Sequence, residues 1–147
     1  MRRFHTDSYN KAYQQEVFYL PHLKQILNDD SLTHTKGKLA TFDFIGKNKF
    51  VELKARNCEY KKYPDTMIGL NKIEFAKANP DKEYYFCFLF TDGLYYWKYN
   101  EDDKLNYRSG GRFDRGYNEI KQYAYIPISL LKNISIDTID EPEKILL

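Results

Sequence analysis

Three side chains in the stretch TFDFIGKNKFVELKAR, from Thr41 to Arg56, have the types and spacing for metal-assisted chemistry: Asp43, Glu52 and Lys54. Successive residues of a strand face opposite sides, so Glu52 and Lys54 share one face while Val51 and Leu53 take the other. Gly46, Lys47 and Asn48 are turn residues, and they fold a strand over Leu39 to Ile45 back against one over Lys49 to Arg56. In one register Asp43 comes level with the Glu52–Lys54 pair; a slip of one residue takes it off that face. Two carboxylates on one patch are hard oxygen ligands suited to Mg2+ or Mn2+, with the Leu53 carbonyl, water and phosphate completing the shell. A cation held there polarises a phosphate and acidifies a water, and Lys54 is placed to orient that water or to stabilise charge as it develops. The same triplet also fits a cross-strand salt bridge on a solvated sheet face, which contributes little to stability.

Residues 8–28 carry Tyr13, Val17, Leu20, Leu23, Ile26 and Leu27 at helical spacing, with Ser8 as a cap and Pro21 expected to kink or divide the helix. Ser31 to Thr35 is a candidate short strand, and Tyr60 to Asp65 reads as a loop. Thr66 to Ala78 has helical periodicity, capped by Asp65 or Thr66 and stopped by Asn79-Pro80-Asp81. Glu83 to Phe90 is almost continuously apolar and should be a strand buried on both faces, returning through Thr91-Asp92-Gly93 as Leu94 to Tyr99. Asn100 to Asn118 is polar; Glu119 to Ile126 reads as an edge strand and Pro127 to Asn133 as a short helix. The length suits one domain, and the order of elements suits an α/β or α+β fold with a central mixed sheet flanked by helices.

A hairpin bearing Asp43 in FDF and Glu52–Lys54 in VELKAR, after one helix and before another, resembles the PD-(D/E)xK nuclease superfamily, of restriction-endonuclease-like fold. The resemblance runs through residues 8–99 in element order. Phe42 stands where the family motif usually has proline. The resemblance implies a further acid from the preceding helix, for which Glu16 in YQQEVF is the candidate. It also implies a Lys or Gln on the helix after the motif, matched by Lys72 in IGLNKIEF beside Asn71. Both also read as ordinary helix surface charges. The resemblance further implies a Mg2+- or Mn2+-dependent DNA endonuclease or related phosphodiesterase acting on duplex or branched DNA. Its products would carry a 5′-phosphate and a 3′-hydroxyl, and small resolvase-like members suggest a homodimer.

The net charge of +2 is too small for DNA binding by overall charge, so a local basic face is required. Lys72 and Arg56 are candidates for it, and so are Arg112 and Arg115 in GGRFDRG, where paired glycines let backbone approach a phosphate. A plain turn with an internal Asp114–Arg pair reads equally well there. Tyr60 and Tyr63, in a lysine-rich loop, could stack on bases or pack within the loop. His5, His22 and His34 have no metal-ligand spacing and read as surface or locally hydrogen-bonded groups.

Cys58 and Cys87 imply no disulfide framework, and Cys87 belongs in the core; a reducing intracellular compartment is expected. No signal peptide is expected, and the apolar run Tyr84 to Phe90 is too short to span a bilayer. Richness in Lys, Asn, Ile and Tyr suggests an AT-rich genome such as that of a phage or large DNA virus. The alternatives are a catalytically inactive nucleic-acid-binding or structural protein on the same fold, or a partner-binding module with a tyrosine-rich surface. Against the first stands the second carboxylate, which would repel phosphate unless a cation intervened.

Overall fold

The computed structural model describes residues 2–35, 42–110 and 121–134. Helix α1 (Arg2–Ile26) leads into β1 (Thr33–His34), β2 (Phe44–Ile45), β3 (Lys49–Ala55) and β4 (Asp65–Gly69). Helix α2 (Leu70–Ala78), β5 (Glu83–Phe90), β6 (Gly93–Lys98), β7 (Asn106–Gly110) and β8 (Lys121–Pro127) follow. A 3-10 turn (Ile128–Leu130) and β9 (Lys132–Ile134) end the described chain. Six strands form a mixed sheet in the order β1-β2-β3-β5-β6-β9, and three form a second sheet, β4-β8-β7. The result is the mixed α+β arrangement expected, consistent with a restriction-endonuclease-like fold.

The large sheet is buried on both faces. Val51, Leu53, Tyr85, Cys87 and Leu94 pack with Leu23 of α1, while Phe86, Phe88 and Trp97 pack with Ile73 and Ala76 of α2 and with Ile68, Ala124 and Ile126 of the small sheet. This explains the apolar run of β5, whose parallel pairing with β3 puts it at the centre. Cys87 is in the core as expected.

Several elements differ from the sequence expectation. Helix α1 begins well before Ser8 and runs unbroken through Pro21. Pro21 and Val17 are both exposed, so the carbonyl that loses its helical partner can turn to water, and Leu20 and Leu23 hold the helix to the sheet on either side. Asn28, with φ 51°, closes the helix in the left-handed conformation.

Asp65 to Gly69 is a strand rather than the first turn of a helix, because it pairs antiparallel with Pro127 to Tyr123, a partner some sixty residues away. Helix α2 therefore starts at Leu70 behind Gly69, and neither Asp65 nor Thr66 caps it. The polar stretch after Asn100 contains β7, which makes β8 the middle strand of its sheet and not an edge. The expected last helix shrinks to a 3-10 turn followed by β9. Ser31 to Thr35 does supply a short strand, β1. No helix among the described residues is long and apolar enough to cross a membrane.

Candidate active site

The register of β2 against β3 pairs Phe44 with Val51 and Ile45 with Phe50, so Asp43 lies across from Glu52. The turn at residues 46–48 fixes this register. Gly46 N–H bonds the Lys49 carbonyl at 2.8 Å, and Ser31 Oγ accepts the Lys47 N–H at 2.8 Å. A Cβ on Gly46 would lie 2.9 Å from Asp29 Oδ2 and 3.0 Å from Ser31 Oγ, so only glycine fits there without displacing them.

The expected alternation fails at one residue. Phe44, Val51 and Leu53 share the α1 side, but Phe42 crosses to the other core, against Phe50, Phe75, Tyr84 and Phe86. The chain bends at Phe42 and Asp43, where β2 has not yet begun. That bend brings the Asp43 carboxylate against the backbone of β3: its Oδ2 accepts the Leu53 N–H at 2.8 Å. In a strand a residue's N–H and C=O leave by the same edge, so the Leu53 carbonyl is directed to the Asp43 side as well.

Glu52 is 3% exposed, on the face covered by α2 and the small sheet. This burial removes the reading of a salt bridge on a solvated sheet face. Lys54 Nζ lies 3.4 Å and Lys72 Nζ 3.6 Å from the same oxygen, Glu52 Oε2. The two lysines differ in exposure, since the Lys54 side chain is 46% exposed and that of Lys72 15%. Lys72 also lies over the Phe42 ring, 5.1 Å from its centroid. Thus Lys72, expected to contact DNA, is turned inward onto Glu52.

Burial pushes the Glu52 carboxyl up to about 7; the Asp43 carboxylate adds to the rise, and the two lysines oppose it. Asp43 is also raised, first by burial and then by the Glu16 charge, against the Leu53 N–H and Lys54, which favour its ionised form. The two carboxyl groups are close enough for each to shift the other's affinity for a proton. Such a pair is relieved by a shared proton or a cation.

Glu16 reaches this neighbourhood from α1, and its Oε1 meets His34 Nε2. His34 sits on β1 opposite Phe44, edge-on to the rings of Tyr13 and Phe44. Its partnership with Glu16 was not legible in the sequence, because nothing in the spacing of residues 16 and 34 signals contact; the short β1 strand was the only cue.

Arg56 is placed differently from the expectation of a DNA contact. Its Nε donates to Thr66 Oγ1 at 3.0 Å, its Nη2 donates to the Met67 carbonyl, and it lies 5.5 Å from the centroid of the Phe88 ring. It therefore ties the end of β3 to β4. Arg112 and Arg115 lie outside the described residues; the flanking Gly110 and Lys121 pair with each other at the end of the small sheet where β4 passes into α2.

Among the described residues, no three or more of His, Cys, Asp and Glu gather as a metal-holding group. The donor set is instead two facing carboxylates, with Glu16 near one of them and a strand carbonyl on the same edge. A buried carboxylate pair with raised affinity for protons fits a small hard cation that keeps solvent and phosphate among its ligands.

A family model described as "Phage putative PDDEXK endonuclease" matches residues 41–134, which take in Asp43, Glu52, Lys54 and Lys72. No curated protein and no solved structure matches the chain.

Proposed function

From the fact that this chain belongs to the phage PDDEXK endonuclease family, we propose that it hydrolyses phosphodiester bonds of DNA with Mg2+ or Mn2+ at the Asp43–Glu52–Lys54 face. The observation that carries the reading is the register that sets Asp43 across from a buried Glu52, with Lys54 and Lys72 on one Glu52 oxygen. Asp43, Glu52 and the Leu53 carbonyl would hold the ion, with Glu16 joining from α1. When bound, a divalent cation supplies Lewis acidity to the phosphate and a lower pKa to water.

The chain's own residues do the rest. Lys54, half exposed beside Glu52, orients the attacking water and faces the phosphate as charge builds on it. Lys72, nearly covered, favours the ionised form of Glu52 and fixes its position. The Leu53 N–H holds Asp43 in one rotamer, so the ligand pair is preorganised. Arg112 and Arg115 are proposed phosphate contacts, whereas Arg56 acts through the fold. A homodimer presenting two such faces would suit duplex or branched DNA, and the phage family suggests action inside an infected cell.

The test is to incubate plasmid, linear, single-stranded and four-way-junction DNA with the protein and Mg2+ or Mn2+, alongside Glu52→Ala and Lys54→Ala. Metal-dependent cutting lost in both variants supports the reading. Equal background from wild type and variants on every substrate refutes it.

A further inference from the structure

Two residues beyond Lys54, just past the end of β3, comes Arg56, and past Arg56 the surface opens into a cavity of about 480 Å3. Its walls include Arg56, Tyr63, Met67, Phe90, Arg108 and Tyr125. The volume is within the range of small-ligand pockets, and the walls combine apolar and aromatic surface with two guanidinium groups.

The two loop tyrosines have separate fates here. Tyr60 lies flat on Tyr95, with ring centroids 3.9 Å apart and planes at 3°, and its hydroxyl donates to the Ile128 carbonyl at 2.7 Å. It is part of the fold. Tyr63 is 57% exposed and, among the described residues, makes no ring contact or hydrogen bond. In the same cavity, the Arg108 guanidinium lies 3.8 Å from the centroid of the Tyr125 ring and is fixed by Asp65 at 2.9 Å. Met67, 38% exposed, forms apolar wall between β4 and this stacked pair. A free ring and an ion-paired guanidinium–aromatic stack lining one cavity make two surfaces for a flat, weakly polar guest.

The charge around the cavity suits a polyanion. Arg56 and Arg108 line the cavity with Glu59 and Asp65, and Lys61 and Lys62, exposed on the loop that carries Tyr63, tip the surrounding surface towards positive charge. Two residues of strand rise roughly 7 Å. Arg56 is thus one such step from Lys54, and the cavity adjoins the catalytic face at a distance of one or two nucleotides.

We propose that this cavity receives an unpaired nucleobase of the DNA strand beside the scissile phosphate, stacked between Tyr63 and the Arg108–Tyr125 pair. The inference rests on the nuclease reading for the identity of the strand as DNA, and it names the substrate class as DNA with an unstacked base, single-stranded or branched. A base held in a duplex cannot reach such a cavity without being extruded.

The test uses the whole chain in EDTA, where no cleavage occurs, and a thymidine oligonucleotide with one 2-aminopurine, alone or paired in a duplex. Stacking in the cavity should quench the single-stranded probe further, whereas the duplex probe, already dimmed by its neighbouring bases, should not change on adding the protein. Tyr63→Ala should weaken single-strand binding by about 5- to 150-fold, the loss of one base–aromatic stack. Tyr63→Phe should retain quenching, since the ring and not the hydroxyl is used. With Mg2+ present, Tyr63→Ala should raise KM and leave kcat near wild type. Equal quenching by wild type and Tyr63→Ala, or equal quenching of both probes, overturns the proposal. Tyr63-dependent quenching without metal-dependent cutting would leave the cavity standing and remove the nuclease reading; cutting that is indifferent to Tyr63 would do the reverse.

Discussion

The Asp43 carboxylate accepts the backbone N–H of Leu53 at 2.8 Å, across the hairpin turn and ten residues along the chain. This bond ties the acidic side chain to the strand that carries Glu52 and Lys54. Slipping the register by one residue would break it and leave a half-buried carboxylate without that donor. The same contact thus keeps the hairpin in register and aims the carboxylate at Glu52.

Loss of Glu52 or Lys54 should have different structural costs and the same functional one. Glu52→Gln should fold, since it removes a buried negative charge beside another. Lys54→Ala removes a half-exposed side chain and should change stability by less than about 1 kcal/mol. Both should lower metal-dependent cutting by at least about a hundredfold, which single-turnover assays with matched urea denaturation curves would reveal.

Lys72 should matter through Glu52 and not through DNA affinity. Its charge is among those holding the Glu52 carboxyl down, so Lys72→Gln should raise that carboxyl further. The acid limb of the pH–activity profile should then move to higher pH, while binding of DNA measured in EDTA stays within about twofold. An unshifted profile with weakened binding would assign Lys72 to the phosphates instead.

The metal-free protein should lose stability as pH rises. The Glu52 carboxyl, at about 7 in the fold against 4.5 for an ordinary exposed glutamate, binds its proton more tightly folded than unfolded. The stabilisation is complete below about 4.5 and lost as pH passes through about 7, a change of roughly 3 kcal/mol. Asp43, also raised, acts in the same direction. Thermal melts in EDTA should show Tm falling across that window, Glu52→Gln should flatten the slope, and Mg2+ should restore Tm mainly at the alkaline end.

Arg56→Ala should destabilise the fold by about 2–3 kcal/mol, because it strands the Thr66 hydroxyl and the Met67 carbonyl and removes a cation from the Phe88 ring. Urea unfolding measures this. An unchanged midpoint with lost DNA binding would return Arg56 to the phosphate contacts.

The sequence was sufficient for what depends on neighbours along the chain. Strand alternation paired Glu52 with Lys54, three turn residues announced the hairpin, and the apolar run of Glu83 to Phe90 announced a strand covered on both faces. These are short-range properties, set by backbone period and local turn chemistry. What needed the tertiary structure is everything carried by distant pairing. Thr66 to Gly69 reads as helix until β8 arrives to claim it, and that claim moves the start of α2 to Leu70 and so turns Lys72 onto Glu52. Phe42 leaves its alternation because the chain bends to bring Asp43 to the Leu53 N–H. His34 meets Glu16 because β1 pairs with β2 and α1, lying on the same side of the sheet, packs alongside β1. Local periodicity chose the residues; long-range strand pairing decided which of them meet.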